Sequence, residues 1–135
     1  MRKILAAIVF LLASGCDTYT AESHYANLAQ ARADHLFGRG WLPDLLPESS
    51  TNIRTSNNLD VNTSTGSFEF APTDFDKLYK KLTPGAAKTS KYSNWQSTIE
   101  KYTSDGFTPL TYKKEGYTWV FFCHMAKGRC DYFMW

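Results

Sequence analysis

The chain has 135 residues, 16% aromatic and 21% charged, with 15 basic against 13 acidic side chains and a formal net charge of +2. That length suits one domain with its own core. No run of Lys or Arg exceeds two residues, which argues against nucleic acid as a partner, because phosphate binding needs a clustered basic surface.

Met1-Arg2-Lys3 is a basic start, Ile4 to Ala13 is apolar without interruption, and Ser14 and Gly15 are small residues ahead of Cys16. A bilayer-spanning helix needs about 20 apolar residues, so this shorter run matches the h-region of an export signal. Leu12-Ala13-Ser14-Gly15-Cys16 resembles the lipobox of bacterial lipoproteins, with Ala13 where that family usually has Leu. The resemblance implies a diacylglycerol on the Cys16 sulfur, cleavage before Cys16, and often a further acyl chain on the new amine. Each buried CH₂ contributes about 0.8 kcal/mol, so several chains hold a protein on a membrane almost permanently. The expected organisation is a signal peptide over 1–15, a polar tether over 16–23 and a single domain over 24–135. The expected place is the cell envelope, on the periplasmic or outer side of a bacterial membrane. Asp17 resembles the inner-membrane retention signal of enterobacterial lipoproteins. Losing Arg2 and Lys3 would leave 13 basic and 13 acidic side chains, a net charge near zero.

Ser23 can cap a helix running to about Phe37, with Tyr25, Leu28, Ala29, Arg32 and Leu36 near one face and Gly38 and Gly40 ending it. Trp41-Leu42-Pro43-Asp44-Leu45-Leu46-Pro47 holds four large apolar residues between two prolines that forbid regular structure, which predicts an irregular loop pinned over the core. Ile53 to Val61 alternates as a half-buried strand, with polar Asn57 on the apolar face and Arg54, Ser56, Asn58 and Asp60 on the other. Asn62 to Gly66 reads as a turn and Ser67 to Phe70 as the returning strand of a hairpin. Thr73, with Asp76 at the capping-box position, predicts a second helix carrying Phe75, Leu78, Tyr79 and Leu82 on one face and stopped by Pro84-Gly85. After a polar loop to Tyr92, Ser93-Asn94-Trp95-Gln96 is another cap signal. Trp95, Ile99 and Tyr102 fit a helix, while Ser97, Thr98 and Thr103 leave a strand open over 93–104.

The C-terminal part reads as an antiparallel β-meander: Leu110 to Lys113, Tyr117 to His124, and Arg129 to Trp135, with turns at Glu115-Gly116 and Ala126 to Gly128. Tyr117, Trp119 and Phe121 share one face and Val120 and Phe122 the other, so the middle strand should be covered on both sides. Cys123 and Cys130 are an even pair in an exported chain, which reads as a disulfide. A hairpin symmetric about Ala126-Lys127 sets them face to face. The fold class is therefore α+β: an N-terminal helix, a β-hairpin, one or two further helices, and a disulfide-pinned meander.

Nothing in the sequence identifies a reaction. There is no phosphate-binding Gly-rich loop, no nucleophile elbow and no His-x-x-His spacing. Cys123-His124 beside Cys130 has the residue types of a metal or Cys–His site. Neighbouring strand residues point to opposite faces, however, and a disulfide removes the thiolate. No catalytic residue, cofactor or metal is expected. The candidate binding residues are Trp41, Asp44, Asp60 and Asn62, which serve equally as core-edge packing and turn formation. Gly40 to Pro47, Asn52-Ile53, Leu59 to Asn62 and Phe68 to Phe70 resemble segments shared by a group of small bacterial proteins of uncharacterised function, many exported. The resemblance runs from about Tyr25 to Leu82 and implies a shared domain without an activity. The expected function is a membrane-anchored, non-enzymatic interaction module meeting an envelope protein. The alternatives are an inhibitor or immunity lipoprotein against a toxin or lysozyme, and a small envelope hydrolase. The hydrolase predicts a polar cleft at His124 or Asp60, and the binding module an exposed aromatic patch near Trp41.

Overall fold

The last third of the chain builds the centre of the fold. Strands β5 (Thr108–Lys114), β6 (Tyr117–His124) and β7 (Arg129–Met134) form the expected meander in a computed structural model that describes residues 19–135. The segment expected to be an export signal, with Cys16 and Asp17, lies outside the described residues. Cys123 pairs directly with Cys130 across β6 and β7, and the two sulfurs are bonded. β6 is apolar on both faces and is covered on both. Trp119, Phe121 and Cys123 enter the larger core, and Val120 and Phe122 the smaller one.

Before these strands come β1 (Thr20–Asn27), helix α1 (Leu28–Ala33), β2 (Thr51–Asn58), β3 (Thr63–Glu69), helix α2 (Phe75–Tyr79), the two-residue strand β4 (Thr83–Pro84) and helix α3 (Trp95–Ser104). All seven strands make one antiparallel sheet in the order β1-β2-β3-β7-β6-β5-β4. One face is covered by α1, the Trp41–Pro47 loop and α2, which contribute Leu28, Ala31, Leu42, Leu45, Leu46 and Leu78 to the larger core. The loop is pinned as expected: Leu42 is fully buried, and Trp119 Nε1 donates to the Trp41 carbonyl at 3.0 Å. The second face is covered only over β5–β7, by α3. Trp95 meets Phe122, Phe133 and Trp135 edge-on, and Tyr102 stacks on Phe122 with centroids 4.3 Å apart. No described helix is long and apolar enough to cross a membrane.

The N-terminal helix expected from Ser23 is not formed. Residues Thr20–Ser23, expected within the tether, are the first half of β1, whose Tyr25 pairs with Ile53. Pairing with β2 supplies a ladder of backbone hydrogen bonds and buries Tyr25, which outweighs a weak local helix preference. The helix starts at Leu28, where Asn27 is the cap: its Oδ1 accepts from Gln30 N at 2.9 Å, and Gln30 Oε1 accepts from Ala26 N at 3.0 Å. This is a capping box in all but its last atom.

The β2–β3 turn lies earlier than the sequence suggests. It spans Leu59–Asn62, with Asn58 Oδ1 accepting from Asp60 N at 3.1 Å and Val61 N at 3.4 Å, and with Asn62 at a left-handed φ of 53°. Thr63 to Gly66 is therefore strand. Asn57 is buried because Ser64 Oγ donates to its Oδ1 at 2.7 Å and lies 2.8 Å from the Tyr132 hydroxyl, so a polar chain threads the core.

Neither expected capping box forms at the later helices. α2 follows a 3-10 turn over Pro72–Asp74, and Thr73 does not cap it. Ser49 Oγ instead accepts from Ala71 N at 3.0 Å and donates to Asp74 Oδ2 at 2.6 Å. α3 settles 93–104 as a helix, entered through Asn94 at φ 56° without a side-chain cap.

Candidate functional site

Among the described residues, the half of the second sheet face that α3 does not cover is an extended polar surface. Register sets its rows. Glu22 lies opposite Ser56, Ser56 opposite Thr65, and Thr65 opposite Phe133. In the next row His24 lies opposite Arg54, Arg54 opposite Ser67, and Ser67 opposite Asp131. The residues are polar on β1–β3 and become aromatic where α3 begins to cover the sheet. A bulge in β2 between Thr51 and Arg54, with Asn52 at a φ of 48°, turns the Asn52 side chain onto this surface. Its Oδ1 lies 2.7 Å from His24 Nε2, and its Nδ2 donates to Glu69 Oε2 at 3.1 Å.

Two shallow grooves run across this surface and meet at Thr65 and Gly66. One, of about 390 Å³, is lined by Glu22, His24, Arg54, Ser56 and Thr65. The other, of about 320 Å³, is lined by Thr65, Ser67, Tyr102, Arg129 and Asp131. Asp131 marks the border with the helix-covered half. Tyr102 donates to its Oδ2 at 2.8 Å and Arg129 Nε to its Oδ1 at 2.9 Å, so both oxygens are engaged. Burial pushes the Tyr102 hydroxyl well above the ordinary tyrosine range, and the Asp131 carboxylate adds to the shift, so Tyr102 stays a neutral donor. A larger concavity, of about 550 Å³, lies at the β4–β5 edge. Its Thr111 hydroxyl donates to Gly85 O at 2.7 Å and accepts from Ala87 N at 3.1 Å, so that side chain fastens the chain segment rather than a ligand.

The four binding residues expected from the sequence separate. Trp41 and Asn62 come together in a small cleft of about 80 Å³ with Arg39, Tyr117 and Met134. Asp60 is exposed on the same turn as Asn62 but outside that cleft. Asp44 instead faces Arg32 Nη2 at 3.5 Å, and the same guanidinium holds Glu48 at 3.0 Å and keeps the Glu48 carboxyl below its usual range. His124 Nδ1 accepts from Lys127 N at 3.2 Å, its ring meets Phe107 edge-on, and neither His124 nor Asp60 lines any of these clefts. Among the described residues no three His, Cys, Asp or Glu side chains gather as metal ligands. The groove residues on β1, β3, β7 and α3 escape sequence reasoning because only the register brings them into rows. The outward set Arg54, Ser56 and Asn58 on β2 is legible from alternation.

Fold and groove together define an α+β protein whose antiparallel sheet is double-covered at one end and bare and polar at the other. Residues 20–69 match the YbbD head domain family, a segment that begins at the first residue of β1 and closes at the last residue of β3. It contains Gly40 to Pro47, Asn52-Ile53, Leu59 to Asn62 and Phe68, with Phe70 one residue beyond. Comparison with curated proteins and with solved structures gives no match.

Proposed function

We propose that the chain is a membrane-anchored, non-enzymatic interaction module of the bacterial cell envelope, and that the bare polar face over β1–β3 meets its partner. The carrying observation is that this face is grooved. An antiparallel sheet tolerates one wet face without any function; what supports an interface here is that two joined concavities on it carry hydroxyls and both signs of charge. Glu22 and Glu69 set beside His24, Arg54 and Arg129 complement a protein surface of mixed charge better than a uniformly anionic polymer. The engaged state of Asp131 and the position of His124 away from the clefts favour binding over hydrolysis. Cys16, as the residue carrying the acyl anchor, accounts for the one cysteine outside the disulfide.

A photo-cross-linking residue placed at Ser56 of the full chain in intact cells should give one defined adduct. The same residue at Lys101, on exposed α3 surface, should give none, and Arg54→Glu should abolish the Ser56 adduct. Equal labelling from both positions, or an adduct indifferent to Arg54→Glu, overturns the reading.

A further inference from the structure

The exposed large apolar side chains are not scattered over the described surface. There are six: Tyr19 (65% exposed), Leu59 (44%), Val61 (53%), Tyr117 (39%), Tyr79 and Met125 (55%). The first four gather at one end of the sheet. Thr20 pairs with Asn58 there, and Leu59 N donates to Tyr19 O at 3.2 Å. Val61 is on the same turn, and Tyr117, which opens β6, shares a cleft with Asn62 and Trp41. Single exposed apolar residues need no explanation, but four converging on one edge form a patch of the kind that marks an interaction surface.

The anchor leaves from this same end. Four residue steps separate Cys16 from Thr20, so even a fully extended chain sets the cysteine within about 14 Å of the start of β1. The far end, which carries Met125, stands a strand length of about 27 Å further off. We propose that this sheet end docks on the lipid surface that holds the anchor, with Leu59 and Val61 entering the boundary between headgroups and acyl chains. The proposal rests on the reading of Cys16 as the acylated residue. Tyr117 and Trp41 have the amphipathic rings that settle at headgroup level. Lys113 and Lys114 flank the patch, but Asp60 and Glu115 oppose them, so docking is apolar in character and should change little with salt. Docked this way, the strands stand on the membrane and the grooved face looks along its plane.

The test uses the full chain, purified with its native acylation and reconstituted in phosphatidylethanolamine–phosphatidylglycerol vesicles with acyl-chain-brominated lipid. With Cys16 acylated and Cys123 and Cys130 paired, Val61→Cys and Met125→Cys each supply a single free thiol for an environment-sensitive fluorophore. Both positions are more than half exposed, and unchanged thermal midpoints verify that the variants fold. Quenching at position 61 should exceed that at 125 by about threefold or more, as an inserted apolar tip requires. Equal quenching in a chain that floats with the vesicles overturns docking and leaves the anchor standing. A blue-shifted probe at 61 without bromine quenching means that protein, a second copy or another partner, covers the patch, which also overturns it. A Cys16 found unacylated by mass spectrometry removes the anchor reading and the docking with it.

Discussion

Replacing Gly66 with Ala should cripple this fold although the residue sits in an ordinary strand conformation at the surface groove. A methyl group there would lie 2.0 Å from the Arg54 carbonyl oxygen and 2.7 Å from the Tyr132 ring. Overpacking a core ordinarily costs about 1–3 kcal/mol, because side chains move aside. Here the nearer obstacle is backbone of the adjacent strand, and Tyr132 is itself tied to Ser64, so either the β2–β3 ladder parts or the ring leaves its place. We expect a loss of about 3–4 kcal/mol, above the usual range for point changes. For a domain of this length that is a fall of roughly 15 °C in thermal midpoint. Circular dichroism of the detergent-solubilised full chain measures it. Gly38→Ala is the control: nothing stands within 4 Å of its new methyl, and the midpoint should stay within about 2 °C. A Gly66→Ala midpoint as close to wild type as that of the control would refute the close-packing argument.

Reducing the Cys123–Cys130 bond should cost about 2.5 kcal/mol on the chain-entropy account of so short a loop, roughly 10 °C of midpoint. Because the two sulfurs are bonded to each other and carry no free thiol, thiol labelling without reductant should fail even after denaturation. Labelling of both cysteines in the denatured, unreduced chain would disprove the bond. Burial pushes the Tyr132 and Tyr102 hydroxyls above the ordinary tyrosine range, with Asp131 adding to the shift at Tyr102. The folded chain then keeps protons that the unfolded chain sheds, so this stability is complete below about pH 10 and is lost as pH rises beyond it. The denaturant midpoint should hold up to about pH 10 and fall above it, less steeply in Tyr102→Phe. Parallel slopes for the two proteins would count against the assignment.

Much of the C-terminal half is legible because its signals are local. The Cys123–Cys130 register follows from a hairpin centred on Ala126-Lys127, and the two-sided burial of β6 follows from consecutive apolar residues. Two prolines and four large apolar residues define the Trp41–Pro47 loop without reference to anything distant. β1 is different. Its partner is β2, with Tyr25 paired to Ile53 nearly thirty residues on, and the apolar spacing from Tyr25 to Leu36 imitates a helix. The cap that marks the true helix start, Asn27 with Gln30, is present in the sequence but masked by that spacing. Gly66 misleads for a related reason. Beside Asn62, Ser64 and Thr65 it reads as a turn glycine, whereas its lack of a Cβ serves the approach of Tyr132, sixty-six residues away. The grooves are the least legible feature, since one needs β1, β2 and β3 in register and the other needs β3 set beside β7.

That pairing of β3 with β7 also bears on how the matched segment works. Residues 20–69 supply three strands, α1 and the pinned loop, but they cannot close a core alone. Phe68 packs edge-on against Phe121, Ser64 meets Tyr132, and the Trp41 carbonyl accepts from Trp119. Each partner comes from the C-terminal meander. Without it, Phe68 would lose the Phe121 ring against which it packs, and uncovering such a side chain costs about 1.5–3 kcal/mol. The groove is divided along the same line. Glu22, His24, Arg54, Ser56, Thr65 and Ser67 lie within the matched segment, whereas Tyr102, Arg129 and Asp131 lie outside it. A protein sharing only the first set would present the same floor against a different wall. Selectivity for the proposed partner should therefore reside in the C-terminal residues, and affinity common to such proteins in the β1–β3 floor.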